Sequence, residues 1–107
     1  MIEKLIVVLV TIERRSEFSD KDEIIPKDCL GSSGWIAVRG IEKKDVKSFL
    51  SKAFNALGLE VIEFGDVHLL DALSELRNFD IHLYDNAADW EVGKYWTWGT
   101  LHSYNDE

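Results

Sequence analysis

The sequence predicts an α/β domain of the α+β sandwich kind, a mixed sheet of four to five strands carrying two helices on one face. Three observations lead there. Leu5 to Ile12 is an unbroken aliphatic run rich in Val and Ile, the pattern of a strand covered on both faces. Val46, Phe49, Leu50, Ala53, Phe54 and Leu57 recur at the spacing of one helical stripe. Apolar segments of strand length then alternate with helical ones. The order is β, loop, β, α, β, α, β, with a further β if Lys94 to Tyr104 pairs.

After the first strand, residues 14–34 read as a long polar loop containing Pro26, Gly31, Ser32, Ser33 and Gly34, with Ile24-Ile25 pinning its middle to the core. Trp35 to Arg39 is the second strand, pairing back onto the first. Glu42 and Asp45 lie at the positive N-terminal end of the first helix, and Gly58 is placed as the left-handed residue that ends it. Leu59 to Phe64 reads as a strand and Gly65-Asp66 as a turn, Asp66 capping a second helix that carries Leu69, Leu70, Leu73 and Leu76. Phe79, Ile81 and Leu83 alternate with Asp80, His82 and Tyr84, as in a strand with one wet face. Lys94 to Tyr104 is the last strand, with Gly99 as a bulge or a close approach.

A chain of 107 residues is expected to be one domain, 1–107. At that size it buries roughly 65% of the surface exposed when unfolded, so no metal or disulfide is required. One cysteine, Cys29, can form no intramolecular bridge, which fits a reducing cytoplasm. The longest apolar run, Leu5 to Val10, is far short of the roughly 20 residues a spanning helix needs. Thr11 to Arg15 offers no small-residue cleavage site. A cytoplasmic location is the expectation. The net charge of −8 repels phosphate backbones and favours basic partners. Direct nucleic-acid binding and membrane association are therefore not expected.

Catalytic and cofactor chemistry finds little footing. His68, His82 and His102 fall on three separate elements without metal-ligand spacing, although Asp80 could pair with His82. Cys29 has Asp28 beside it and no local histidine, the wrong setting for a nucleophilic thiolate. Gly31-Ser32-Ser33-Gly34 lacks the lysine of a phosphate-binding loop. Asp20-Lys21-Asp22-Glu23 lacks the glycine and the rhythm of a calcium loop. The chain is expected to be no enzyme and to use no cofactor or metal.

The richest signal is at the carboxy end. Six of the seven Trp and Tyr residues fall between Tyr84 and Tyr104, within the acidic-aromatic segment 84–107. In an extended chain Trp96, Trp98, Thr100, His102 and Tyr104 share one side. Such rings beside carboxylates are the material of a binding surface for a basic protein. Partner contacts are expected from Asp85, Asp89, Trp90, Glu91, Tyr95, Trp96 and Trp98, helped by Asp20, Asp22 and Glu23 of the loop. The profile (short, acidic, α/β, without catalytic motifs) is similar in type to bacterial immunity proteins, which block a cognate toxin nuclease. That likeness implies an inhibitory protein, but no motif aligns and no residue roles carry over; the chain itself is expected to be a monomer or a weak homodimer. The alternative is a small-molecule-binding or enzymatic domain with an aromatic pocket near His102, lined by Trp96, Trp98 and Tyr104.

Overall fold

The computed structural model describes residues 5–15, 24–88 and 95–105. In chain order it contains β1 (Leu5–Arg14), β2 (Gly31–Arg39), α1 (Val46–Ala56), β3 (Leu59–Leu70), α2 (Ile81–Ala88), β4 (Trp96–Trp98) and β5 (His102–Tyr104). Short 3₁₀ turns at Lys43–Asp45 and Leu73–Asn78 lead into the two helices. The fold is α+β, a five-stranded open sheet in the order β3-β1-β2-β4 with β5 also on β2.

The aliphatic run forms the central strand. Ile6, Val8, Val10 and Ile12 face α1 and pack with Val46, Leu50 and Phe54, all at most 2% exposed. Leu5 and Val7 face the other way. Burying each such side chain contributes about 1.5–3 kcal/mol, so the core follows directly from the first run and the first stripe. Gly58 closes α1 with φ 82°, the conformation its missing Cβ permits. Leu59 beside it is fully buried.

Every strand pairing among the described residues is antiparallel, not mixed. The reason is topological. The unit β2-α1-β3 runs its two strands in parallel, but β1 lies between them and is antiparallel to both.

The second helix is not where the leucine spacing placed it. β3 continues through Gly65-Asp66 to Leu70, because Val67 to Leu70 pair residue by residue with Val8 to Leu5. Gly65 and Asp66 together oppose Leu9, a bulge. An added Cβ on Gly65 would come within 3.1 Å of Leu9 Cβ, so a side chain in the bulge would press on Leu9. The segment expected to be a strand, 79–84, instead starts α2. Asp80 overrides the alternation: its Oδ1 accepts from the His82 N–H at 2.8 Å and the Leu83 N–H at 3.2 Å, while its carbonyl accepts from the Tyr84 N–H. That is an N-cap. α2 then buries Leu83 and Ala87 against Leu5, Val7 and Ala37, on the sheet face opposite α1. The helices thus sit on the two faces rather than sharing one.

β2 begins at Gly31, so the glycine-serine stretch assigned to the loop is strand. Ser33 Oγ and Thr11 Oγ1 lie 2.9 Å apart, as do Ser32 Oγ and Ser103 Oγ, so hydroxyl pairs replace apolar ones there. Arg14 fastens the end of the loop, donating to the carbonyls of Cys29 at 2.9 Å, Ile25 at 2.6 Å and Pro26 at 2.7 Å. Ile25 is fully buried, the expected pin.

Candidate functional site

β4 lies at the outer edge of the sheet, with Trp96 opposite Val38 and Trp98 opposite Ile36. Paired residues share a face, so both indoles point toward α1. Their rings meet Phe54, with centroids at 5.1 Å for Trp96 and 6.3 Å for Trp98, the latter stacked at 15°. The two indoles are 5.3 Å apart, edge to face. Both are half-buried. They therefore complete the core at this edge while still presenting ring surface. Tyr95, 52% exposed, stands edge-on to Phe49 at 6.4 Å.

Between these rings and α1 runs an open groove of about 740 Å³, lined by Phe49, Lys52, Ala53, Tyr95, Trp96, Thr97 and Trp98. Its one charged lining residue is Lys52. Among the described residues, part of the backbone beside it is also without a partner. The Arg39 N–H donates to the Tyr95 carbonyl and the Gly99 N–H to the Trp35 carbonyl. Antiparallel alternation then turns the N–H and C=O of Trp96 away from β2. The outward carbonyl of Trp98 is taken by the Asn86 amide at 2.6 Å.

The shared side expected for Trp96, Trp98, His102 and Tyr104 is broken at Gly99. Trp98 pairs with Ile36 and His102 with Ser33, so four steps along one strand match three along the other. One extra residue inverts the side-chain alternation. His102 and Tyr104 therefore face the α2 side, and the expected pocket of two tryptophans around His102 is not formed. Gly99 is both the bulge and the close approach: an added Cβ would lie 2.8 Å from Asp80 Cγ and 2.8 Å from the Leu83 nitrogen.

Two polar contacts fix this crossing. Asp80 Oδ2 accepts from the Thr100 N–H at 2.9 Å, tying the α2 cap to the chain between β4 and β5. Burial alone would raise the Asp80 pKa. The N–H donors of Thr100, His82 and Leu83, with the nearby His82 charge, outweigh it and hold the carboxyl below its ordinary value. The Tyr104 hydroxyl donates to Glu13 Oε2 at 2.9 Å. Burial and that carboxylate push its phenol up to about 12.

Of the residues expected to meet a partner, Tyr95, Trp96 and Trp98 are brought together at the groove. Asp85 is exposed on α2, across the sheet, and does not line it. Asp20, Asp22, Glu23, Asp89, Trp90 and Glu91 lie outside the described residues. The far wall, Phe49, Lys52 and Ala53, escaped the sequence reading because Phe49 and Ala53 count toward the core stripe. Their position at the margin of that stripe was the available signal.

The histidines do not converge as ligands. His68 packs its ring against Trp35 and Phe79, at 6.0 and 5.3 Å. Among the described residues no group of three or more His, Cys, Asp and Glu could hold a metal ion. Cys29 is half-buried against the α1-side core. No described helix is long and apolar enough to cross a membrane. No family model matches the chain, and no curated protein or solved structure matches it either.

Proposed function

We propose that the chain is a small acidic protein-binding domain that seats a segment of a protein partner between α1 and β4. The observation that best supports this reading is the apolar groove lying directly beside the Trp96 backbone, which has no hydrogen-bond partner among the described residues. An extended partner segment can hydrogen-bond to Trp96 and lay alternate side chains among Phe49, Tyr95 and the two indoles. Aromatic rings in a partly desolvated cleft are the usual centre of binding energy. The net charge of −8 favours a cationic partner. The full form of the proposal is an inhibitor of immunity type that neutralises a basic toxin nuclease by occluding its active site. A nuclease must be basic to hold phosphates, and an acidic protein is drawn to that same groove. The cleft's volume would also suit a small apolar ligand, but it is an open groove rather than an enclosed pocket.

Replacing Ala53 with Arg fills the groove from the helix wall without touching the buried stripe residues. Purified A53R and parent chain would be titrated against the product of the neighbouring gene, which the proposal expects to be a basic polypeptide. The proposal expects nanomolar-range binding by the parent and at least about a tenfold loss in A53R, with unchanged melting. Equal binding by both forms, or no binding by the parent, would refute it.

A further inference from the structure

Among the described residues, α2 and the turn at Leu73–Asn78 cover only one end of the sheet face opposite α1, the end holding Leu5, Val7, Trp35, Ala37 and Leu70. The rest of that face can be reconstructed from register. One row across the strands reads Tyr104, Gly31, Glu13, Glu60, and the next reads His102, Ser33, Thr11, Glu63. Leu9, 36% exposed, marks its inner border beside Trp35. Glu13 and Glu60 stand directly opposite each other, an arrangement that destabilises a sheet. Neither row holds a lysine or arginine, and Glu60 and Glu63 are exposed without an ion pair among the described residues. The chain between Lys52 and Arg77 adds Asp66 and Asp71 and contains no lysine or arginine, its one basic side chain being His68 against Trp35.

We infer that this uncovered half-face is a second docking surface, and that its occupant is a cationic protein segment. Lysine or arginine side chains laid across β1 and β3 would relieve the Glu13–Glu60 repulsion and meet Glu63. Leu9 and Trp35 supply the apolar border that such interfaces use. A second copy of this chain would bring carboxylates against carboxylates. The inference rests on the reading of the domain as a binder of basic protein, but it uses a different surface from the groove.

The test titrates the full, isotope-labelled chain with a short peptide of alternating lysine and threonine, following backbone amide shifts. The expected result is movement at Thr11, Glu13, Ser33, Glu60 and Glu63, with little at Tyr95 to Trp98. Glu60→Gln with Glu63→Gln should weaken the peptide about tenfold while raising the melting temperature, so the loss cannot be ascribed to unfolding. The control pair Asp45→Asn with Asp85→Asn, at the start of α1 and on α2, should bind as the parent does. Equal weakening by the control pair would reduce the effect to net charge and overturn the inference, and so would shifts centred on α2. Concentration-dependent shifts of the same rows without peptide would assign the surface to a second copy and also overturn it. A53R should bind the peptide normally. Loss of the groove's partner together with retained peptide binding keeps the two readings separable.

Discussion

The two faces of this sheet share the same strands and end differently. On the α1 side, Ile6, Val8, Val10 and Ile12 are closed over for their whole length by α1 and by Ile25 of the loop. On the α2 side, closure by the described residues stops after Leu5 and Val7, and the continuation is Leu9, Thr11 and Glu13. Both helices are shorter than β1, and the contrast lies in what continues them, Ile25 and the indoles on one face and polar side chains on the other. The 8 residues of α2 reach about 12 Å, whereas the 10 residues of β1 reach about 33 Å. A short helix on a long strand leaves a remainder, and the sequence there turns polar.

Phe54→Ala should break the closed face most severely. Phe54 is fully buried and holds both groove indoles. A cost of about 3–5 kcal/mol is expected in denaturant unfolding, with loss of the indole fluorescence signature of the groove. Leu83→Ala, its counterpart under α2, should cost less, about 2–3 kcal/mol, because the open half-face gives its surroundings room to relax. Equal costs would show that the two faces are equally tight.

Gly99→Ala probes the point where one face gives way to the other. The added methyl meets Asp80 and the backbone of Leu83, so about 1–3 kcal/mol of destabilisation is expected. Groove fluorescence should stay unchanged, because Trp96 and Trp98 are held from the α1 side. A change there would mean that the bulge also positions the indoles.

The closed face was legible in the sequence and the other was not, for physical reasons. Leu5 to Ile12 and the stripe from Val46 to Leu57 are long enough for their periods to be unambiguous. Val67 to Leu70 is a short apolar run, which helix and strand fit equally well until β1 is known to lie alongside. The six-residue alternation from Phe79 to Tyr84 was real, but the cap at Asp80 outweighed it. The inversion at Gly99 depends on counting across two strands, information that a single segment does not hold. Tyr95, Trp96 and Trp98 were found as site residues because rings cluster in sequence. Their opposing wall on α1 was hidden because an aromatic in a helical stripe reads as core.

Asp80→Ala removes the cap of α2 and the strap to Thr100 together, at a cost of about 1–2 kcal/mol near neutral pH. The pH dependence follows from the sign of the shift. Its folded pKa lies below the ordinary value of 3.8, so the carboxylate's contribution is complete above that value and is lost as pH falls through the folded pKa. The gap between parent and variant should therefore narrow in strong acid. A gap that persists unchanged there would assign the effect to packing rather than charge.

Tyr104→Phe is the mildest change and tests the open half-face alone. The ring, which lies over Gly31, is retained, while the hydrogen bond to Glu13 is lost, for about 0.5–1.5 kcal/mol. Here the sign is opposite to that of Asp80. The folded phenol titrates near 12 against an ordinary 10.0, so its contribution is intact below pH 10 and disappears as pH rises toward 12. Unfolding curves of parent and variant should differ at neutral pH and converge in that alkaline window. The variant also leaves Glu13 unpartnered opposite Glu60, which sharpens the repulsion on this face. Adding Glu60→Gln to Tyr104→Phe should then recover more stability than the same substitution in the parent. Equal gains in both backgrounds would show that Glu13 and Glu60 do not feel each other across the strands.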